Sequence, residues 1–198
     1  MPALPPPVAD ERHALRANLF QQHYAFRVIA FGLTDEQARA TPTVSALSVG
    51  ALVKHVTNCQ RGWMERVAAA PGTPPTDDRS MAEIQAERAD EFQMRPDETL
   101  AEVLERFETG NAEVLRLVET ADLDAAVPVP PAPWFPKDVD AWSVRWVFFH
   151  LLDELARHAG HGDIIREAID GATMYELIAG VEGWPETDWL TPFRPASA

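Results

Sequence analysis

Four residues with ligating or proton-carrying side chains follow one another at helical spacing in the last third of the chain: His150, Glu154, His158 and His161, at steps of four, four and three. At ~100° per residue this places them on one narrow stripe of a helix. Val144, Phe148, Leu151 and Leu155 centre on a neighbouring direction, so the stripe lies at the edge of the buried face, where a bundle builds ligand pockets. Each helical turn advances ~5.4 Å, a gap that long side chains close, so neutral imidazoles and a carboxylate on successive turns can hold one divalent ion. Two ligands from one helix do not complete a site. His55, the only histidine of its own predicted helix, sits on or near the apolar side that carries Leu52 and Cys59. The metal candidates are therefore His55 with two of Glu154, His158 and His161, leaving open positions for water or a substrate atom.

A single histidine on an apolar face is more often a hydrogen-bonded core residue than a ligand, and the case here rests on the grouping, since polar residues gathered at a buried edge need partners. His13 and His23 on the first helix are expected non-ligands. His150, furthest along the stripe, is expected either to hydrogen-bond Glu154 or to be solvated. Cys59, one turn after His55, reads as a buried structural thiol before it reads as a ligand or nucleophile. Arg61 and Arg145 could hold a carboxylate but also suit a surface. Asp153 and Asp163 are expected to form surface salt bridges, with Asp163 as an alternative acceptor behind His161.

The elements that must position these groups are helical. Leu15, Leu19, Phe26, Ile29 and Leu33 predict a first long helix over about 10–33, and Leu52, Val56, Cys59, Trp63 and Val67 a second over about 48–70, stopped by PGTPP. A third runs over about 97–120 and a fourth over about 143–169, ended by Gly171. TDEQ at Thr34 to Gln37 is a capping box opening a short helical turn. The acidic stretch between Pro71 and Pro96 reads as a long connection with an embedded helix in MAEIQAERADEF. PVPPAPWFPKD cannot be helix, and its Trp134 and Phe135 are expected to fold back over the bundle. The tail, GWPETDWLTPF, reads as irregular and pinned by its tryptophans. These features predict an all-α, single domain over residues 1–198, with 1–9 a Pro-rich leader and 180–198 an irregular tail.

Seventeen Lys plus Arg against 31 Asp plus Glu give a net charge of −14, which opposes nucleic-acid binding and docking on an anionic membrane. No apolar run approaches the ~18 residues of a spanning helix, the start lacks the pattern of a signal peptide, and the lone Cys59 fits a reducing compartment, so a cytoplasmic protein is expected. The exposed faces of the first and third long helices suit either solvent or a homodimer.

The segments LSVGALVKHVTNCQRGWM and WSVRWVFFHLLDELARHAGHGDIIREAIDG, with weaker support from DERHALRANL and GLTDEQARATP, resemble the DinB/YfiT-like metal-binding bundles, with a likeness that spans nearly the whole chain. The resemblance implies an up-down-down-up DinB-like four-helix bundle with a Pro/Trp-rich loop before helix four. It also implies a site of one histidine on helix two and a pair on helix four that holds zinc, nickel or iron, with zinc the expected ion. The pair is usually His-x-x-x-His; here Glu154 and His158 are similar to the Glu-x-x-x-His of the mycothiol-dependent maleylpyruvate isomerase branch. This favours His55, Glu154 and His158, with His161 as alternate third ligand. The implied activity is a transferase joining mycothiol, as co-substrate, to a small electrophile. The competing readings are a hydrolase or isomerase using a metal-bound water, and a non-catalytic small-ligand-binding protein.

Overall fold

Each long helix begins on a side chain that accepts from an otherwise orphaned backbone N–H. Asp10 caps α1 (Glu11–Ala30), Ser48 caps α3 (Val49–Ala69), Thr99 closes a capping box with Glu102 on α5 (Leu100–Thr120), and Ser143 caps α6 (Val144–Asp170). The expected box at Thr34 and Gln37 opens the short α2 (Asp35–Arg39). Gly171, at φ 78°, ends α6 in the left-handed conformation that a Cβ would disfavour. The computed structural model describes residues 4–75, 79–130, 132 and 135–195.

Side-chain pairs fix the directions of the four long helices. Arg145 at the start of α6 meets Glu11 at the start of α1 (2.8 Å), and Arg166 near the end of α6 donates to the carbonyl of Ile29 at the end of α1 (2.7 Å), so these two run parallel. Lys54 near the start of α3 meets Glu98 just before α5 (2.9 Å) and Gln60 meets Asn111 at mid-helix (3.1 Å), so α3 and α5 run parallel as well, while Arg16 with Glu119 and Arg27 with Glu108 set α1 against α5. The result is the up-down-down-up bundle, each helix packed on two neighbours in the cyclic order α1, α5, α3, α6. Leu19, Val53, Val56, Phe107, Val114, Phe148, Leu151 and Leu155 are fully buried along its axis. Among the described residues no helix is long and apolar enough to cross a membrane.

Parallel α3 and α5 force the chain between them to travel back along the bundle. That return contains α4 (Met81–Asp90) and is tied down by one buried lysine: Lys54 Nζ donates to Asp90 (2.7 Å), to the Gln93 carbonyl (3.1 Å) and to Glu98 (2.9 Å). Before α6 a two-stranded antiparallel ladder, β1 (Ala126–Pro128) with β2 (Ala141–Ser143), sets Val127 opposite Trp142. Three residues per strand carry no period that a sequence reading could find. Phe135 folds back as expected, edge-on to Trp63 and Trp142; Trp134 lies outside the described residues. The structure adds a helix that the sequence reading did not contain, α7 (Met174–Glu182), which overlaps the first residues of the expected irregular tail. Its Leu177 and Ile178 form a second small core with Tyr24 and Val28 of α1, against which Trp184 and Phe193 pack. Trp189, by contrast, is 77% exposed and pins nothing.

Candidate metal centre

The antiparallel contact of α3 and α6 brings three of the four candidate ligands together. His55 Nε2 lies 3.2 Å and His158 Nε2 3.3 Å from the same oxygen, Oε1 of Glu154, and the two imidazole rings meet edge to face at 4.9 Å between centroids. One ligand atom from each residue falls within 4.8 Å of the others. All three side chains are largely buried but not sealed.

His161 is not part of that trio. Its Nδ1 sits 3.3 Å from Nδ1 of His158, on the nitrogen opposite to the one that faces Glu154. His150 neither bonds Glu154 nor stands free in solvent: it stacks on Trp146 (5.1 Å, 11°), which in turn stacks on Trp142 (4.1 Å, 7°), with Trp63 set edge-on against all three. His13 accepts from the backbone N–H of Ala9 beside the α1 cap, and His23 is buried against Gln60, so both stay away from the trio. Arg61 pairs with Glu87, and Arg145 with Glu11 and Asp124, which are surface roles. The surface ion pairs expected of Asp153 and Asp163 do not form among the described residues, and Asp163 has no hydrogen bond to His161 there; burial, reinforced by Glu167, raises its carboxyl.

Two neighbours were not anticipated. The chain leaving α4 places Glu91 Oε1 3.3 Å from His55 Nδ1 and lays the Phe92 ring on the His55 ring (4.4 Å, 23°). Only the return path between α3 and α5 brings them there; nothing in the local pattern ADEF distinguishes them from a solvated helix end.

The electrostatics follow from this enclosure. Burial alone would lower the His55 imidazole, but the hydrogen bond to Glu154 and the charge of Glu91 overcome it and raise it to about 9. His158 and His55 hold the Glu154 carboxyl far below the usual range. The Cys59 thiol is pushed up to about 12, by burial first and by Glu154 and Glu91 second, so it stays protonated at neutral pH.

The donors fit a divalent ion. Two imidazole nitrogens on one carboxylate oxygen form the His2Glu set of catalytic zinc sites with an open position. The outer nitrogens suit it too: His55 Nδ1 is buried without a hydrogen-bond partner while a carboxylate stands 3.3 Å away, and His158 Nδ1 meets His161. Ligating histidines usually present their second nitrogen to such an acceptor. Beside the trio opens a cavity of about 770 Å³, lined by His55, Cys59, Trp63, Arg66, Glu91 and Phe135 among others.

The fold and the trio together define a DinB-like four-helix bundle with a site compatible with a metal ion. The profile of the family described as mycothiol-S-transferase matches residues 14–171, and the chain belongs to that family. No curated protein sequence matches it. Among solved structures it is similar to a conserved protein from Enterococcus faecalis, at 15% identity over 83% of this chain and 100% of that one, with a TM-score of 0.54, a likeness of fold alone.

Proposed function

We propose that the protein is a metal-dependent S-transferase that joins a low-molecular-weight thiol of the mycothiol type to a small electrophile, its ion held by His55, Glu154 and His158. The observation that carries the reading is the convergence of those three side chains inside the segment that matches the family. A divalent ion bound there, zinc in our reading, supplies the positive charge that keeps a coordinating thiol as its thiolate. The chain's own residues do the rest. Glu91 orients His55, and His161 holds the outer nitrogen of His158. Phe92 covers the His55 ring against solvent. Cys59 borders the same cavity, and in the metal-free protein burial first, with Glu154 and Glu91, keeps its thiol protonated at neutral pH, which supports a sulfur that arrives with a co-substrate. The cavity is large enough to admit one, with Asn58, Thr73 and Arg88 as polar lining and Trp63 and Phe135 as apolar lining.

Elemental analysis of the wild type, His55→Ala and His158→Ala, followed by conjugation of mycothiol to a weakly reactive fluorogenic halide, tests this. In that reaction a C–S bond forms as the C–halide bond breaks and the thiol proton passes to solvent. About one equivalent of metal in the wild type, lost in both variants together with conjugation, is expected. Full metal content in both variants would remove these ligands from the reading, and metal-loaded protein inert with mycothiol would remove the transferase.

A further inference from the structure

In a chain with 31 carboxylates for 17 cations, an arginine without a partner stands out. Among the described residues, arginines pair with carboxylates or with backbone carbonyls, as Arg12 and Arg39 do. Among those residues only Arg157, which is exposed, and Arg66, which is half-buried, have neither a hydrogen bond nor an ion pair. Arg66 lines the cavity beside His55. Burial works against its charge, and the neighbouring Glu65 offsets this only through space, without contact. A partly desolvated guanidinium facing an open cavity is a binding group for an anion, because its planar fork matches a carboxylate or phosphate.

Its placement says where on a ligand that anion sits. His55, Cys59, Gly62 and Arg66 follow at steps of four, three and four and so share one face of α3. Gly62 lies between the two ends with open space where a Cβ would stand, which leaves the floor of the cavity clear along this face. Eleven residues at 1.5 Å separate the Cα atoms of His55 and Arg66 by ~16 Å, and a long side chain leaning back along its helix shortens that to roughly 10 Å. Trp63 and Phe135 line the stretch between with apolar surface. Carboxylates border both ends, Glu91 beside His55 and Glu65 beside Arg66, and Arg88, one turn before Glu91, already has a partner, so the Arg66 end is favoured by its unpaired guanidinium.

The geometry points to an elongated electrophile as the substrate: an apolar or aromatic body that ends in a carboxylate or phosphate-type anion, bound by Arg66 about 10 Å along α3 from the His55 end of the cavity. This rests on the cavity being the substrate pocket of the proposed transferase, but anion binding there requires neither metal nor thiol, so the two can fail separately.

The test is equilibrium binding of 4-phenylbutyrate and of its uncharged analogue 4-phenylbutanol, by calorimetry, to the wild type, Arg66→Gln and Arg66→Lys. We expect the carboxylate to bind the wild type at least about tenfold more tightly than the alcohol, as a charge-assisted bond allows. The preference should disappear in Arg66→Gln and persist in part in Arg66→Lys, with circular dichroism unchanged. Equal affinities in the wild type, a preference that survives Arg66→Gln, or no saturable binding of either probe would each overturn the assignment. A preference that follows Arg66 in a protein without transferase activity would uphold the anion site and sink only the reaction.

Discussion

Metal affinity should climb steeply with pH, because an ion can use His55 only as the neutral imidazole. In the metal-free protein that imidazole is raised to about 9, burial being outweighed by Glu154 and Glu91. An incoming ion therefore displaces a proton at every pH below about 9. Each unit of pH in that range is worth a factor of ten, so the apparent affinity at pH 7 should lie ~100-fold below its alkaline plateau and rise ~10-fold between pH 7 and 8. Chelator-buffered zinc titrations give the slope, and calorimetry in two buffers of different ionisation heat gives the proton count, expected near one from His55. In Glu154→Gln the steepness should fall along with the affinity, since one residue supplies both a ligand and the main cause of the raised value. The same proton has the opposite effect on the empty protein. His55 is raised above its unfolded value, so its contribution to stability is complete below about 6.5 and is lost as pH rises through 9. Glu154, which is depressed, contributes above the ordinary carboxylate range and loses that contribution in acid. An affinity that changes less than threefold between pH 7 and 8 would refute His55 as a ligand that binds by losing a proton.

Four further outcomes follow from single contacts. His161→Ala should weaken metal binding ~10–100-fold without abolishing it, the range for a residue that orients a ligand; a complete loss of metal would make His161 a ligand itself. Lys54→Met removes the ammonium that Asp90 and the buried Glu98 share. It should cost toward the lower end of ~3–5 kcal/mol in urea unfolding, since Arg106 still pairs with Glu98, and a loss under 1 kcal/mol would contradict the anchoring role. Gly180→Ala drives a methyl into the Phe193 carbonyl, a backbone atom that cannot step aside. Amide exchange should quicken in the α7 segment and around Phe193 while the α3 and α6 amides stay protected, and uniform quickening would show one cooperative unit instead. The ring signals of His23, which burial lowers to about 4 against the opposing hydrogen bond from Gln60, should titrate with a midpoint near that value. A midpoint above 6 would mean that the ring is not enclosed. The sign is that of a depressed group: stability is present above about 6.5 and lost as pH falls toward 4.

The sequence showed the helices and most of the trio for the same reason. Periods of 3.6 and the capping residues Ser48, Thr99 and Ser143 are local, and Glu154 and His158 lie on one helix, so their proximity is written in a spacing of four. His55 could be placed because a bundle has few faces and only one histidine fell on that helix. What was not legible needed the path of the chain. Glu91 and Phe92 reach the site only because parallel α3 and α5 demand a long return that Lys54 fastens. His150 obeys the same spacing as Glu154 and His158, yet the β1–β2 ladder swings Trp142 into line and the ring is claimed by stacking instead. α7 was missed although Thr173 and Glu176 offer the same capping-box spacing that revealed α2 at Thr34 and Gln37; its nine residues add too little period to stand out on their own.

One helix carries polar residues into the interior in three directions, and this explains how a charged site coexists with a continuous core. On α3, Lys54 points to the return segment, His55 to α6, and Gln60 to a buried relay with His23 (2.6 Å) and Asn111 (3.1 Å). Each is joined to a partner on a different element, which offsets much of its desolvation, and no two of them share a partner; Nδ1 of His23, Nδ1 of His55 and Nδ2 of Asn111 are buried without a hydrogen bond. Substitutions at Gln60 should therefore act on stability and leave metal content alone, whereas substitutions at His55 should remove metal and, at neutral pH, also the stability that its pairing with Glu154 and Glu91 contributes. Lys54 couples the two, because it holds in place the segment that brings Glu91 and Phe92 to the His55 ring.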